Sequence, residues 1–181
     1  LPGGVVTAKD TAEIQLDEKG EFVRNPEEDI VKVAVVERHQ GTGNVACGFL
    51  KGYGIKAGAV ALSIAHDSHN IIVVGVSDEE MEFAVNSLIA QEGGMVLVKE
   101  GKVIESMPMP IAGLMSDQSG EWVDEKLTAI HAKAYEELGI AGDVEPVMTL
   151  CFMSLAVIPE VKLTDMGLFD VTTFSFIPVE A

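Results

Sequence analysis

A chain of 181 residues, 48% of them hydrophobic, has enough apolar side chain for one well-buried core and too little length for two large domains. Twelve basic residues against 29 acidic ones leave a formal net charge of −17, and only Arg24 and Arg38 are arginines. Such a surface repels polyphosphates and anionic lipid, which argues against nucleic-acid and membrane partners and leaves small neutral or cationic ligands open.

Residues 1–28 are rich in Asp, Glu, Lys and Gly and poor in core signals, which predicts a weakly ordered N-terminal arm before a domain spanning 29–181. The Gly3-Gly4 start suggests excision from something longer. Residues 30–36 read as a strand. Six glycines follow (Gly41, Gly43, Gly48, Gly52, Gly54 and Gly58), and no stable helix tolerates that density, so a loop and a twisted strand are expected there. Residues 58–65 and 71–76 are strand-like, apolar runs. Ser77 with Glu80 forms a capping box, and Met81, Ala84, Val85, Leu88 and Ile89 recur at helical spacing until Gly93-Gly94 stops them. Residues 95–98 and 102–107 make two strands around a Glu100-Gly101 turn. A second helix is expected over 119–138, with Val123, Leu127, Ile130 and Ala134 on one face, His131 on its flank and Gly139 as its stop. Residues 147–158 suit either a short buried helix or two strands, and 171–176 end the chain as a strand after the turn-forming Asp165-Met166-Gly167. The fold class is α+β: twisted, mostly antiparallel sheet packed with at least two helices.

Cys47 and Cys151 lie in apolar sequence without a C-x-x-C pattern, and read as buried free thiols in a reducing, cytoplasmic compartment. No basic head and apolar stretch of a signal peptide opens the sequence. The longest uncharged run, between Pro146 and Pro159, falls short of the ~20 residues a membrane helix needs.

Two of the four histidines flank Asp67-Ser68 between the apolar runs. If those runs form a hairpin with Asp67-Ser68 as its two-residue loop, His66 and His69 become cross-strand neighbours with Cβ atoms about 5 Å apart. Asp67 and Asn70 complete a polar constellation. Glu37-Arg38-His39 ends the first strand before a glycine loop, a good place to present Glu37 and His39 to a pocket or, more plainly, a surface ion pair beside a solvated histidine. Residues 41–46 match G-x-G-x-x-A, but four residues separate them from the strand and the following glycines forbid a phosphate-binding helix. No H-x-E with P-C-x-x-C, H-x-H or H-E-x-x-H occurs. Four scattered imidazoles do not make a binuclear hydrolase centre.

Val35-Val36-Glu37-Arg38-His39 with Gly41-Thr42-Gly43-Asn44-Val45, the stretch 65–75, Met109-Pro110-Ile111-Ala112-Gly113-Leu114-Met115-Ser116-Asp117 and Ile158-Pro159-Glu160-Val161-Lys162-Leu163-Thr164-Asp165 together resemble the C-terminal domain of bacterial adenine deaminase. The likeness runs in order from about residue 28 to the end. It implies an amidohydrolase in which a (β/α)₈ barrel with a binuclear manganese or iron centre hydrolyses adenine to hypoxanthine and ammonia. Such a barrel takes ~250 residues and does not fit in this chain. The resemblance therefore implies an accessory domain that meets adenine through the barrel, binds no metal itself, is inactive alone and belongs to a homo-oligomer. The candidates for facing that active site, chosen by their chemistry, are His66, Asp67, His69, Asn70, Glu37 and His39. Two other readings stay open: a self-standing module using the same turn for a metal or small ligand, and a structural dimerisation domain joined through residues 147–158.

Overall fold

A computed structural model describes residues 4–180. The N-terminal arm contributes a small two-stranded ribbon, β1 (Gln15–Leu16) with β2 (Phe22–Val23). The body begins at β3 (Ile30–Val36) and continues through β4 (Val45–Lys51), β5 (Ala59–Leu62) and β6 (Ile71–Gly75). Then come α1 (Asp78–Ala90), β7 (Gly94–Lys99), β8 (Lys102–Pro108) and α2 (Gly120–Glu136). The short helix α3 (Pro146–Cys151) runs into a 3₁₀ turn, Phe152–Ser154, before β9 (Val161–Thr164), β10 (Gly167–Asp170) and β11 (Ser175–Ile177).

Six strands pair antiparallel in the order β4-β3-β6-β5-β7-β8, and β11-β10-β9 form a separate three-stranded sheet. The period-2 alternation of the central strands sends side chains to both faces, and both faces are covered. Val33, Val60, Leu62, Ile72, Val74 and Leu97 point to the side closed by α2, α3 and Leu163 of β9. Ala34, Ala59, Ala61, Val73, Val96 and Val98 point to the side closed by Met81, Ala84 and Leu88 of α1. The small residues on that second face let α1 sit close. The α+β architecture thus encloses its own core on both sides of the main sheet, as a folding unit requires.

Both long helices start where their capping serines predict. Ser77 Oγ accepts from Glu80 N at 3.3 Å and Ser119 Oγ from Trp122 N at 3.3 Å. The capping box is only half made, because the Glu80 carboxylate accepts from Gly101 N instead. His131 is half-buried on α2 and its Nε2 pairs with the Glu145 carboxylate, which also caps α3 at Met148 N. The arm is tied down beside β9: Thr7 exchanges backbone bonds with Pro159 and Glu160, and Lys9 Nζ reaches Asp170 at 3.0 Å. Beneath it Lys162 is 1% exposed, donates to Val5 O at 2.7 Å, and is pulled down to about 8 by burial.

Three expectations are corrected. The β5–β6 hairpin forms, but its connection is the eight-residue stretch 63–70 rather than Asp67-Ser68 alone, because the ladder ends at the Leu62–Ile72 pair. Residues 171–174 are a turn, since Asp170 Oδ1 accepts from Thr172 N and Thr173 N and folds the chain back before β11. Cys47 is exposed on the edge strand β4, whereas Cys151 is buried, its thiol pushed up to about 12. Of the two readings for residues 147–158 the short helix holds: they are helical at their start, and Val147, Leu150, Cys151 and Met153 belong to the core. Among the described residues no helix is long and apolar enough to cross a membrane.

Candidate functional site

The antiparallel register brings one set of loops to one end of the sheet. Val36 pairs with both Val45 and Ile71, Leu62 with Met95, and Gly94 with Pro108. The loops 37–44, 63–70, 91–93 and 109–119 therefore emerge together. Three of the four histidines, His39, His66 and His69, lie on them.

Each loop is held by a few directional bonds. Ser63 leaves β5 but keeps hold of β7: its Oγ accepts from Gly94 N at 2.7 Å and donates to Gly113 O at 2.5 Å. His66 N donates to Cys151 O at 3.0 Å, and its ring stacks on Phe152 with centroids 4.8 Å apart. The His69 ring meets that of His66 edge-on at 5.4 Å. The Asp67 carboxylate is largely exposed and 3.8 Å from His66 Nδ1. Asn70 is buried, and its Oδ1 accepts from Arg38 N at 3.3 Å. His39 Nε2 lies 2.7 Å from Ser68 O, which places the ring proton on that nitrogen.

Arg38 joins the loops. Its Nε donates to His69 O at 2.5 Å and its Nη2 to Ala112 O at 2.8 Å, so one guanidinium plane spans 63–70 and 109–115. Gly113 lies against that plane, with a positive φ of 73° that suits glycine. Burial lowers the Arg38 pKa from its ordinary value. The His69 pKa is lowered as well, first by burial and then by the nearby charges of His66 and Arg38, which favours its neutral form. Its Nδ1 is buried without a hydrogen-bond partner.

Glu37 serves its own loop. Its carboxylate accepts from His39 N, Gln40 N and Thr42 N at 2.5, 2.7 and 3.0 Å and from Thr42 Oγ1 at 3.0 Å. These bonds hold its pKa down at about 2. Residues 41–44 close a hairpin loop, with Gly41 and Gly43 at positive φ, and no helix follows them.

An open depression of about 600 Å³ lies between the loops, lined by Arg38, His39, Ser68, His69, Glu92, Pro110 and residues 112–114. Of the residues chosen from sequence, His39 and His69 line it, while His66, Asp67 and Asn70 lie beside it on the same loop as His69, and His66 and His69 are not cross-strand partners. Glu37 lies at the edge as the organiser of 37–44. Arg38, Ser63 and Phe152 are the additions. Arg38 carried a signal, as one of only two arginines and flanked by two candidates; Ser63 and Phe152 carried none. Among the described residues no group of three His, Cys, Asp or Glu side chains is placed to hold a metal ion, and the pair of imidazoles with Asp67 does not form one. The chemistry available is recognition, proton exchange at imidazole and exclusion of water.

The profile of a family described as the adenine deaminase C-terminal domain matches residues 4–175. Similar proteins include adenine deaminase 2 of Desulfotalea psychrophila, 70% identical over all of this chain. The adenine deaminases of Ligilactobacillus salivarius and Bacillus velezensis are 51% and 43% identical, each over 99% of it. The chain spans 31% of the length of each of these relatives.

Proposed function

We propose, because this chain belongs to the adenine deaminase C-terminal domain family, that it is the accessory domain of an enzyme that hydrolyses adenine to hypoxanthine and ammonia. The observation that carries this reading is 70% identity over the entire chain to a protein named adenine deaminase 2, of which the match is only 31%. The remaining length of such a protein accommodates a barrel of ~250 residues. In this reading the binuclear metal centre, of manganese or iron, belongs to the barrel. The side chains described here do not fit a metal, and none of their proposed roles runs through one.

The loop end of the sheet, with His66, Asp67, His69, Asn70, Glu37 and His39, faces the barrel mouth and closes over the purine. Its fixed donors and the His66–Phe152 stack present a shaped, partly apolar surface that displaces water. Neutral His69 beside His66 is suited to a proton relay at the purine edge. The enzyme is a cytoplasmic homo-oligomer in this reading. A dimerisation role through residues 147–158 has less support, since Val147, Leu150, Cys151 and Met153 are already buried in the chain's own core.

The test is His66→Asn with His69→Asn in the full-length enzyme, assayed for hypoxanthine formation and bound metal. A fall in kcat with metal content unchanged is expected. Unchanged turnover would remove these histidines from the mechanism, and adenine hydrolysis by the 181-residue chain alone would overturn the accessory role itself.

A further inference from the structure

We propose that the depression between loops 37–44, 63–70 and 109–115 is a binding site for one small oxyanion, inorganic phosphate or the phosphate of a nucleoside monophosphate. The inference stands independently of any partnership with a barrel. Its starting point is a cationic group placed among imidazoles: in a chain of net charge −17, one of two arginines and three of four histidines lie on the loops at one end of the sheet.

Arg38 is the centre of the site. Several lysines elsewhere have carboxylate partners, as in Lys32–Asp78, Lys126–Glu105 and Lys133–Glu137, while Arg24 donates to the backbone carbonyls of Ile55 and Lys56. Arg38 has no carboxylate partner among the described residues; its contacts at Nε and Nη2 are to neutral backbone carbonyls of His69 and Ala112. Those bonds fix the guanidinium plane without neutralising it and leave Nη1 to donate. A Cβ at residue 113 would stand 2.8 Å from Nη1 and 3.1 Å from Cζ and Nη2, so glycine there lets the backbone pack against the guanidinium and hold it in place. A guanidinium held in place with Nη1 still free can donate charge-assisted bonds to a phosphate oxygen. His39 and His69 line the same depression and add ring nitrogens.

The other walls limit the ligand. Glu92 is the one carboxylate on the lining, and with the overall charge it opposes a polyphosphate. The volume of about 600 Å³ and the open mouth admit a phosphate with a nucleoside attached.

The experiment is calorimetric titration of the 181-residue chain, whose core is closed by its own elements, with inorganic phosphate, adenosine monophosphate and adenosine. Saturable binding of phosphate is expected, with no binding of adenosine. Arg38→Gln weakens it by about tenfold or more, the loss of a charge-assisted bond, and Glu92→Gln tightens it by about threefold through relief of repulsion. Tighter binding of the monophosphate than of phosphate identifies a nucleotide ligand, and equal binding identifies free phosphate. Absence of phosphate binding, adenosine binding in its place, or undiminished binding by folded Arg38→Gln overturns the proposal. Should Arg38→Gln fail to fold, Glu92→Gln decides, and affinity that is unchanged or lower in that variant overturns it.

Discussion

The strands of the β5–β6 hairpin and the loop that joins them are held by different physics. Every residue of β5 and β6 is buried, and their side chains feed one or other of two apolar clusters. The loop 63–70 has few such contacts and is fixed by bonds to chain far away: Ser63 to Gly94 and Gly113, His66 to Cys151, and His69 and Asn70 to Arg38. Burial is non-directional and tolerates small shifts, whereas a hydrogen-bonded loop has its shape only while a few particular atoms stay in place. Stability therefore resides in the strands, and the geometry of the candidate site in the loops.

The largest effect is expected on the strand side. Leu62 is fully buried at the end of β5, and Leu62→Ala should cost about 3–5 kcal/mol, the lost transfer energy plus the cavity left behind. The measurement is urea unfolding, with the midpoint lowered and the slope unchanged. The comparison is broken if the same substitution also strips the protection of the loop amides while the protein remains folded.

One residue further on, Ser63→Ala addresses the loop side. It leaves Gly94 N without its side-chain acceptor and Gly113 O without its donor in a buried setting. A cost of about 1–3 kcal/mol follows. Unlike Leu62→Ala, it should accelerate amide exchange in both 63–70 and 109–115, because among the described residues Ser63 and Arg38 are the side chains whose hydrogen bonds join these loops. Exchange that changes in neither loop would show that Arg38 alone sets their spacing.

The same division explains what could be read from sequence. Strand β3, both long helices and the β7–β8 turn declare themselves locally: a β-branched run broken only by Lys32 and Ala34, the capping serines Ser77 and Ser119, and Glu100-Gly101, both at positive φ. The hairpin itself was legible from its two apolar runs. The length of its loop was not, because Ser63 is drawn out of the β5–β6 ladder by Gly94 and Gly113, 31 and 50 positions away. Residues 171–176 look like a strand by composition, and only the Asp170 carboxylate turns their first half back. The polar cluster was legible as residue types, since His66, His69 and Asn70 are close in sequence. The role of Arg38 was not, because the carbonyls that orient its guanidinium lie 31 and 74 residues on.

The smallest effect tests whether the loop side can be altered with the strands untouched. Glu37 is half-buried in its own loop, and its carboxylate gathers the amides of His39, Gln40 and Thr42. Its folded pKa of about 2 lies below the ordinary 4.5, so its contribution is fully present above about 4.5 and is lost as pH falls towards 2. In the wild type, protection of those three amides, corrected for intrinsic exchange, should hold at pH 5 and collapse as pH approaches 2. Glu37→Gln keeps an acceptor but no charge, so protection should be lower at pH 5 and flat across that window, with the urea midpoint at neutral pH barely moved. A variant that retains the acid transition of these amides would place its origin in another group. A large drop in the midpoint would mean that loop 37–44 belongs energetically to the sheet, and the division between strands and loops would then fail at β3.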